Sequence, residues 1–173
     1  MYQPLQTDHV GGGSRLIKTI VIDTREKQKA IKKIIAHFDL VGVQHFSSKL
    51  TVGDYMSLDN ARLCVDRKQN LSELCSNVCQ QHERFRAELQ RANQYGIKLV
   101  ILCEHGGQIK SLSDVMNWKN PRLKESPLAM SGQRLYQVLS SMSKKYDVDF
   151  LFCDKRNTGK EIIRILTEGS SVQ

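Results

Sequence analysis

Apolar positions along this chain follow two rhythms: short runs with a period near two, and longer stretches with apolar residues three or four apart. Thr19-Ile20-Val21-Ile22 is a β-branched run that predicts a buried strand delivering Asp23-Thr24-Arg25-Glu26 at its end. Ala30, Ile31, Ile34, Ile35 and Phe38 have helical spacing and predict a helix over 28–38. Val43 to Ser48 predicts a second strand. Tyr55 to Leu58 and Arg62 to Val65 predict two more, joined by a tight turn at Asp59-Asn60. Leu71, Leu74, Cys75, Val78, His82, Phe85, Leu89 and Ala92 predict one long helix, with Asn70 and Glu73 as the two halves of a capping box and Tyr95-Gly96 as its end. Ile97 to Cys103 predicts a central strand, followed by a loop at Glu104-His105-Gly106-Gly107 and another over 119–127. Gln133 to Tyr146 predicts an amphipathic helix, Val148 to Cys153 a last strand and Thr158 to Leu166 a closing helix. Strands and helices alternate after the central hairpin, so the expected product is an α/β fold with a mixed sheet and helices on both faces.

The ends differ from this pattern. Residues 1–17 are polar and include Gly11-Gly12-Gly13-Ser14, the composition of a flexible tail or linker, and residues 169–173 are expected to fray. The 173 residues suffice for one well-cored domain. No apolar stretch approaches the length of a membrane span and no signal-peptide pattern opens the chain, so the expected compartment is the cytoplasm, or the nucleus were the source eukaryotic. Five cysteines, mostly in apolar runs, suggest reduced thiols in a core. Cys75, Cys79 and His82 share one face of the predicted helix, but structural zinc normally takes four ligands and no fourth is evident. The formal charge of +8 favours a polyanionic partner, because each neutralised phosphate releases a condensed counterion.

The densest chemistry lies at Asp66-Arg67-Lys68, which ends the apolar run Ala61-Arg62-Leu63-Cys64-Val65 and follows a Gly53-Asp54-Tyr55 step. In a strand, side chains alternate, so Asp66 and Lys68 project to one side and Arg67 to the other. A carboxylate and an ammonium on one face, with a second carboxylate at Asp54, suit Mg²⁺-assisted cleavage of a phosphodiester. The carboxylates would hold the metal and the lysine the scissile phosphate or the attacking water. Asp54 as a turn cap and Asp66-Arg67 as a surface ion pair are the plain structural alternative. Arg84 and Arg91, two turns apart, could contact phosphate oxygens, or belong to a solvated face paired with Glu83 and Glu88. Lys119, Arg122 and Lys124 form a basic loop that could touch DNA. Trp118 fits a core anchor better than a base-stacking platform.

Three stretches in order, Val21-Ile22-Asp23-Thr24-Arg25-Glu26, Val52-Gly53-Asp54-Tyr55 and Cys64-Val65-Asp66-Arg67-Lys68, resemble the PD-(D/E)XK nuclease superfamily. More narrowly they resemble the XPF-type nuclease domain shared by XPF, the Mus nucleases and archaeal Hef. The likeness continues through Ser72-Glu73-Leu74 and Arg84-Phe85 to Leu99-Val100-Ile101-Leu102, and the remainder looks most like small stand-alone versions from bacteria and phages. The resemblance implies a restriction-endonuclease-like fold over 18–168, with Asp54 and Asp66 as Mg²⁺ ligands (Mn²⁺ able to substitute) and Lys68 as the catalytic lysine. It also implies that Arg67 organises the site through carboxylates such as Asp23, and that Asp23, Arg25 and Glu26 form an acidic first motif. Asp66 stands where the family usually has Glu. The acidic residue that follows the Arg-Lys pair in the family finds only Glu73 here, one position late. The implied activity is metal-dependent endonucleolytic cleavage of DNA, selective for flaps, forks or junctions in repair, recombination or replication, with dimerisation through the nuclease domain by way of helices 133–146 and 158–166. No Gly-rich hairpin pair of the tandem helix-hairpin-helix kind is present. The alternatives are a non-catalytic DNA-binding or scaffold subunit, and an RNA-directed or restriction-type nuclease on the same fold.

Overall fold

The computed structural model describes residues 17–169; the expected N-terminal tail, apart from Ile17, and the last four residues of the expected frayed end lie outside them. Six strands form one sheet in the order β2-β1-β3-β4-β5-β6, with β1 at Thr19–Ile22, β2 at Gln44–Ser47, β3 at Tyr55–Ser57, β4 at Asn60–Lys68, β5 at Lys98–Glu104 and β6 at Asp149–Cys153. β3 pairs antiparallel with both β1 and β4, and the other neighbours pair parallel, so β3 alone runs against the rest. The sheet is therefore mixed, as expected.

Helices cover both faces. α1 (Gln28–Leu40) and α5 (Thr158–Glu168) close one core, burying Ile31, Ile34, Phe38, Ile162 and Ile165 against Ile20, Val65, Val100 and Leu102. α2 (Leu71–Cys79), α3 (His82–Gln94) and α4 (Gly132–Tyr146) close the other, burying Leu74, Phe85, Leu89, Leu135 and Leu139 against Cys64, Leu99, Ile101 and Cys103. Along β4 and β5 successive residues go to opposite cores, as a pleated strand buried on both faces requires. Trp118 is buried in the second core, an anchor and not an exposed stacking platform.

Three expectations are corrected. The single helix over 71–94 is two helices, with Gln80 and Gln81 between them. His82, which the apolar periodicity includes, is exposed, as are its neighbours from 79 to 84, so nothing buried holds that turn. The tight turn falls at Leu58-Asp59 rather than Asp59-Asn60, because a register shift between Met56 and Ser57 lets Ser57 face Asn60. β4 extends through Lys68 and β5 through Glu104, so Glu104 is a buried strand residue and not part of a loop. Short 3₁₀ turns at Ser113–Asn117 and Pro121–Lys124 also occupy stretches without apolar periodicity. Among the described residues no helix is long and apolar enough to cross a membrane.

Candidate active site

β1 and β4 end at the same edge of the sheet on either side of β3, and the chain enters β3 between them through Gly53-Asp54. Gly53 adopts φ +69°, and a Cβ there would lie 3.1 Å from both Cys64 Cβ and Val65 O. Only glycine passes this close to β4 in a left-handed conformation. The turn hands Asp54 to the strand end, where its Oδ2 accepts a 2.8 Å hydrogen bond from the Arg67 backbone N–H. Tyr55, fully buried, donates its hydroxyl to Glu26 at 2.9 Å. Within the Gly-Asp-Tyr step, the glycine thus permits the close approach, the aspartate supplies the carboxylate and the tyrosine anchors both.

Alternation along β4 then divides the triplet as expected. Asp66 and Lys68 face α2 and α3; Arg67 faces α5. Lys68 Nζ lies 2.9 Å from both Asp66 oxygens, but its hydrogen bond goes to Oδ1, and Oδ2 is buried without a hydrogen bond. The lysine ammonium lies over the Phe85 ring of α3, with Nζ 5.6 Å from the centroid. Asp66 and Lys68 are only 3% and 9% exposed. Burial alone would lower the Lys68 pKa, yet Asp66, Asp54 and Glu88 outweigh it and raise it, so the side chain stays cationic. The Asp54 carboxyl also moves up, well above the usual carboxylate range, through burial first and then the charges of Asp66 and Glu26.

Arg67 is corrected in its partners. It does not bind Asp23; its Nε and Nη2 donate to Glu26 at 2.8 and 3.3 Å and its Nη1 to Glu104 at 3.3 Å. Glu104 also accepts from Thr158 Oγ1 at 2.9 Å, which ties the first turn of α5 to the ends of β4 and β5. Asp23 is likewise not at the cleft. Its carboxylate is consumed by the Arg25 side chain and backbone and by the Leu50 N–H, at 2.6 to 3.2 Å. Burial would raise its pKa, but these donors together hold it below the usual value. Asp23 thereby shapes the loop that presents Arg25 and Glu26.

A cleft of about 280 Å³ collects Asp54, Asp66 and Lys68 with Arg25, Glu26, Arg67, Glu73, Arg84 and Glu88 along its walls. Of the candidates, Arg84 borders it, while Arg91 reaches the neighbouring Thr51 carbonyl at 3.4 Å. Lys119 and Arg122 are exposed and lie outside it; Arg122 borders a separate cavity beside α2. Glu73 lines the cleft, but its Oε2 caps the Gln69 N–H at 2.7 Å while Asn70 caps Glu73, a capping box shifted by one residue. Sequence reasoning does not find Glu88. Its Oε1 accepts from Gly53 N at 3.0 Å, and burial and the Asp66 charge raise its pKa. In sequence it is one more acidic position on an outwardly polar helix; its only signal is its placement four residues after Arg84, on the face that Phe85 and Leu89 bound.

The donor set fits a hard divalent cation. The carboxylates of Asp54 and Asp66 share one cleft, where Lys68 offsets their negative charge only in part. Mg²⁺ typically takes one or two protein carboxylates and keeps its waters. Among the described residues no three His, Cys, Asp or Glu side chains converge as a closed metal cage. In metal-free buffer, Asp54→Asn should therefore raise Tm by roughly 2–4 °C, the shift expected for about 1 kcal/mol in a chain of this size. The amide keeps the acceptor for Arg67 N and removes the repulsion. A carboxyl raised in the folded state is least harmful when protonated, so the gain should be largest at pH 8 and fade as pH falls toward the ordinary carboxylate range. Thermal melts of both proteins in EDTA across that range check this; a fall in Tm at pH 8 contradicts it.

The family model for the ERCC4 domain matches residues 22–166. The chain belongs to the ERCC4 domain family. This is the family of XPF-type DNA nucleases to which the three motifs pointed. The fold is similar to that of XPF from Aeropyrum pernix, with a TM-score of 0.60 at 19% identity over 86% of this chain and 63% of that one. It is equally similar to XPF from Aeropyrum pernix in complex with DNA, with a TM-score of 0.60 at 18% identity over 89% and 65%. This ERCC4-family chain thus spans less than two thirds of either XPF chain. No curated protein sequence matches it significantly.

Proposed function

We propose that the chain is a divalent-metal-dependent endonuclease that hydrolyses phosphodiester bonds in DNA, selecting flapped, forked or junction structures. The observation that carries this reading is the pair of buried carboxylates, Asp54 and Asp66, in one cleft with a lysine kept cationic at 2.9 Å from Asp66. Asp54 and Asp66 would hold Mg²⁺ or Mn²⁺, which when bound polarises the phosphate and lowers the pKa of a coordinated water. Lys68, protonated, is no general base; it holds negative charge developing on the phosphate oxygens. Arg25 and Arg84, at the mouth, fit backbone phosphates on either side, contacts that position a duplex without reading its sequence. Glu26 and Glu104 fix Arg67, and Arg67 fixes the strand from which Asp66 and Lys68 project. DNA as substrate is supported by the family and by the DNA complex of the Aeropyrum XPF.

Pairing with a second nuclease domain, identical or not, belongs to the same proposal. The apolar faces of α4 and α5 are mostly taken by the chain's own cores, so those helices do not offer the broad surface expected of them. A groove of about 680 Å³ between the end of α1, the start of β2 and one side of α5 leaves Val41 and Ile163 reachable.

The test is cleavage of labelled linear duplex, 3′-flap, four-way junction and RNA substrates with Mg²⁺ or Mn²⁺ and an EDTA control. The expected result is metal-dependent cutting, fastest on a branched DNA. Cutting of RNA alone would move the substrate. Binding of branched DNA without any cutting would favour the second reading, a DNA-binding or scaffold subunit.

A further inference from the structure

The cavity beside α2, about 240 Å³, has Cys75, Cys79 and Met130 in its wall and no carboxylate. Cys75 and Cys79, one turn apart on α2, place their Sγ atoms 3.9 Å from each other. Cys79 Sγ lies 3.8 Å from the Sδ of Met130, which arrives from the loop before α4. Cys79 Sγ thus touches two other sulfurs, one of them from a segment 51 residues away along the chain. Sulfurs bound about 2.3 Å from a common ion lie about 3.8–4.0 Å apart at tetrahedral or trigonal angles. The Cys75–Cys79 and Cys79–Met130 separations match that spacing.

A supporting shell holds the sulfurs in place. Asn120, 5% exposed, donates Nδ2 to the Met130 carbonyl at 2.8 Å and approaches Cys75 Sγ at 3.9 Å, while its Oδ1 accepts from Arg122 N at 3.1 Å. The asparagine locks the loop carrying Met130 against the helix carrying the thiols, as outer residues do around metal ligands. Arg122 borders the same cavity and supplies positive charge toward Cys75. His82, which shares the helical face in a continuous helix, lies past the break and borders a different cleft with Arg86 and Gln137.

We propose that Cys75, Cys79 and Met130 form a binding site for a soft monovalent cation of the Cu(I) class. Two thiolates and a thioether are the donors such an ion selects. Zinc is disfavoured, because its structural sites take four thiolate, imidazole or carboxylate ligands. On binding, two S–H bonds give way to two metal–thiolate bonds, two protons leave to solvent, and the thioether donates without losing a proton. No electron is transferred. The resulting site carries one net negative charge, which Arg122 faces. The site is independent of the nuclease reading, since none of its three ligands lines the acidic cleft.

The test is anaerobic titration of the reduced full chain with Cu(I) against a chromophoric Cu(I) chelator. Wild type should withdraw one equivalent. Cys79→Ser and Met130→Leu should each weaken retention by roughly 10–100-fold or more, the penalty typical of even outer-shell losses. Cys153→Ser, at the far side of the sheet, should change nothing. Cys79 is exposed and Met130→Leu keeps its volume, so the pair remains informative should one variant melt early. Retention unchanged in Met130→Leu and Cys79→Ser, or lost equally in Cys153→Ser, overturns the site.

Discussion

Asp66→Asn and Lys68→Ala should each lower the rate of DNA cleavage by at least roughly 10²–10³-fold, the loss typical when one preorganised charge-stabilising group is removed. Both residues are buried, face one side of β4 and contact each other at 2.9 Å, so each variant also disturbs the other's partner. Activity alone could then reflect a damaged fold. The separating measurement is the thermal melt with and without Mg²⁺. Wild type should gain Tm on adding Mg²⁺, because a ligand that binds only the native state stabilises by mass action. Asp66→Asn should melt cooperatively and lose that gain. Lys68→Ala should keep or enlarge it, since removing the cation leaves Asp54, Asp66 and Glu88 with more negative charge to offer a metal. Wild-type turnover in either variant sinks the site assignment. A Mg²⁺ gain intact in Asp66→Asn removes this carboxylate from the metal site.

How much of this is legible in the sequence depends on the distance along the chain over which each feature acts. The β4 triplet is readable because strand alternation is a local rule: once 61–68 is a strand, Asp66 and Lys68 share a face. Asn70 is readable as a cap for the same reason. Glu88 is not, because its role comes from a hydrogen bond to Gly53, 35 residues away, and helical periodicity alone cannot tell a carboxylate facing water from one facing a cleft. Glu104 reads as a loop residue because its charge argues against a buried strand end; only Arg67 and Thr158, 37 and 54 residues distant, make that position tolerable. The motif also misplaces Asp23. Adjacency to Arg25 and Glu26 suggests a shared cleft, but its carboxylate turns inward to Leu50. The helix break at 80–81 is hidden when His82 is counted with the apolar positions, because it then bridges the gap between Val78 and Phe85 that no buried side chain fills.

Arg67→Ala should destabilise the protein by about 3–5 kcal/mol, the penalty for removing one partner of a buried ion pair and leaving the other unpaired. In a chain of this size that is a fall in Tm of roughly 6–20 °C. Arg67 is 5% exposed and its guanidinium is spent on Glu26 and Glu104, the latter 5% exposed as well. Tyr55 also donates to Glu26, and Thr158 holds the far oxygen of Glu104, so the network spans β3, β4, β5 and α5. Arg67→Lys should recover only part of the loss, because one ammonium cannot serve both carboxylates with the fixed fork of a guanidinium. The triple variant Arg67→Met, Glu26→Gln, Glu104→Gln should recover more than Arg67→Ala, since it removes the buried charge together with its counterion. If Arg67 instead bound substrate phosphate directly, Arg67→Ala would leave Tm near wild type and raise KM. Chemical and thermal unfolding of the three variants beside their cleavage kinetics separates these cases. The predicted order of stability places the signature arginine as the residue that holds the catalytic strand, with Lys68 next to it left as the charge that meets the phosphate.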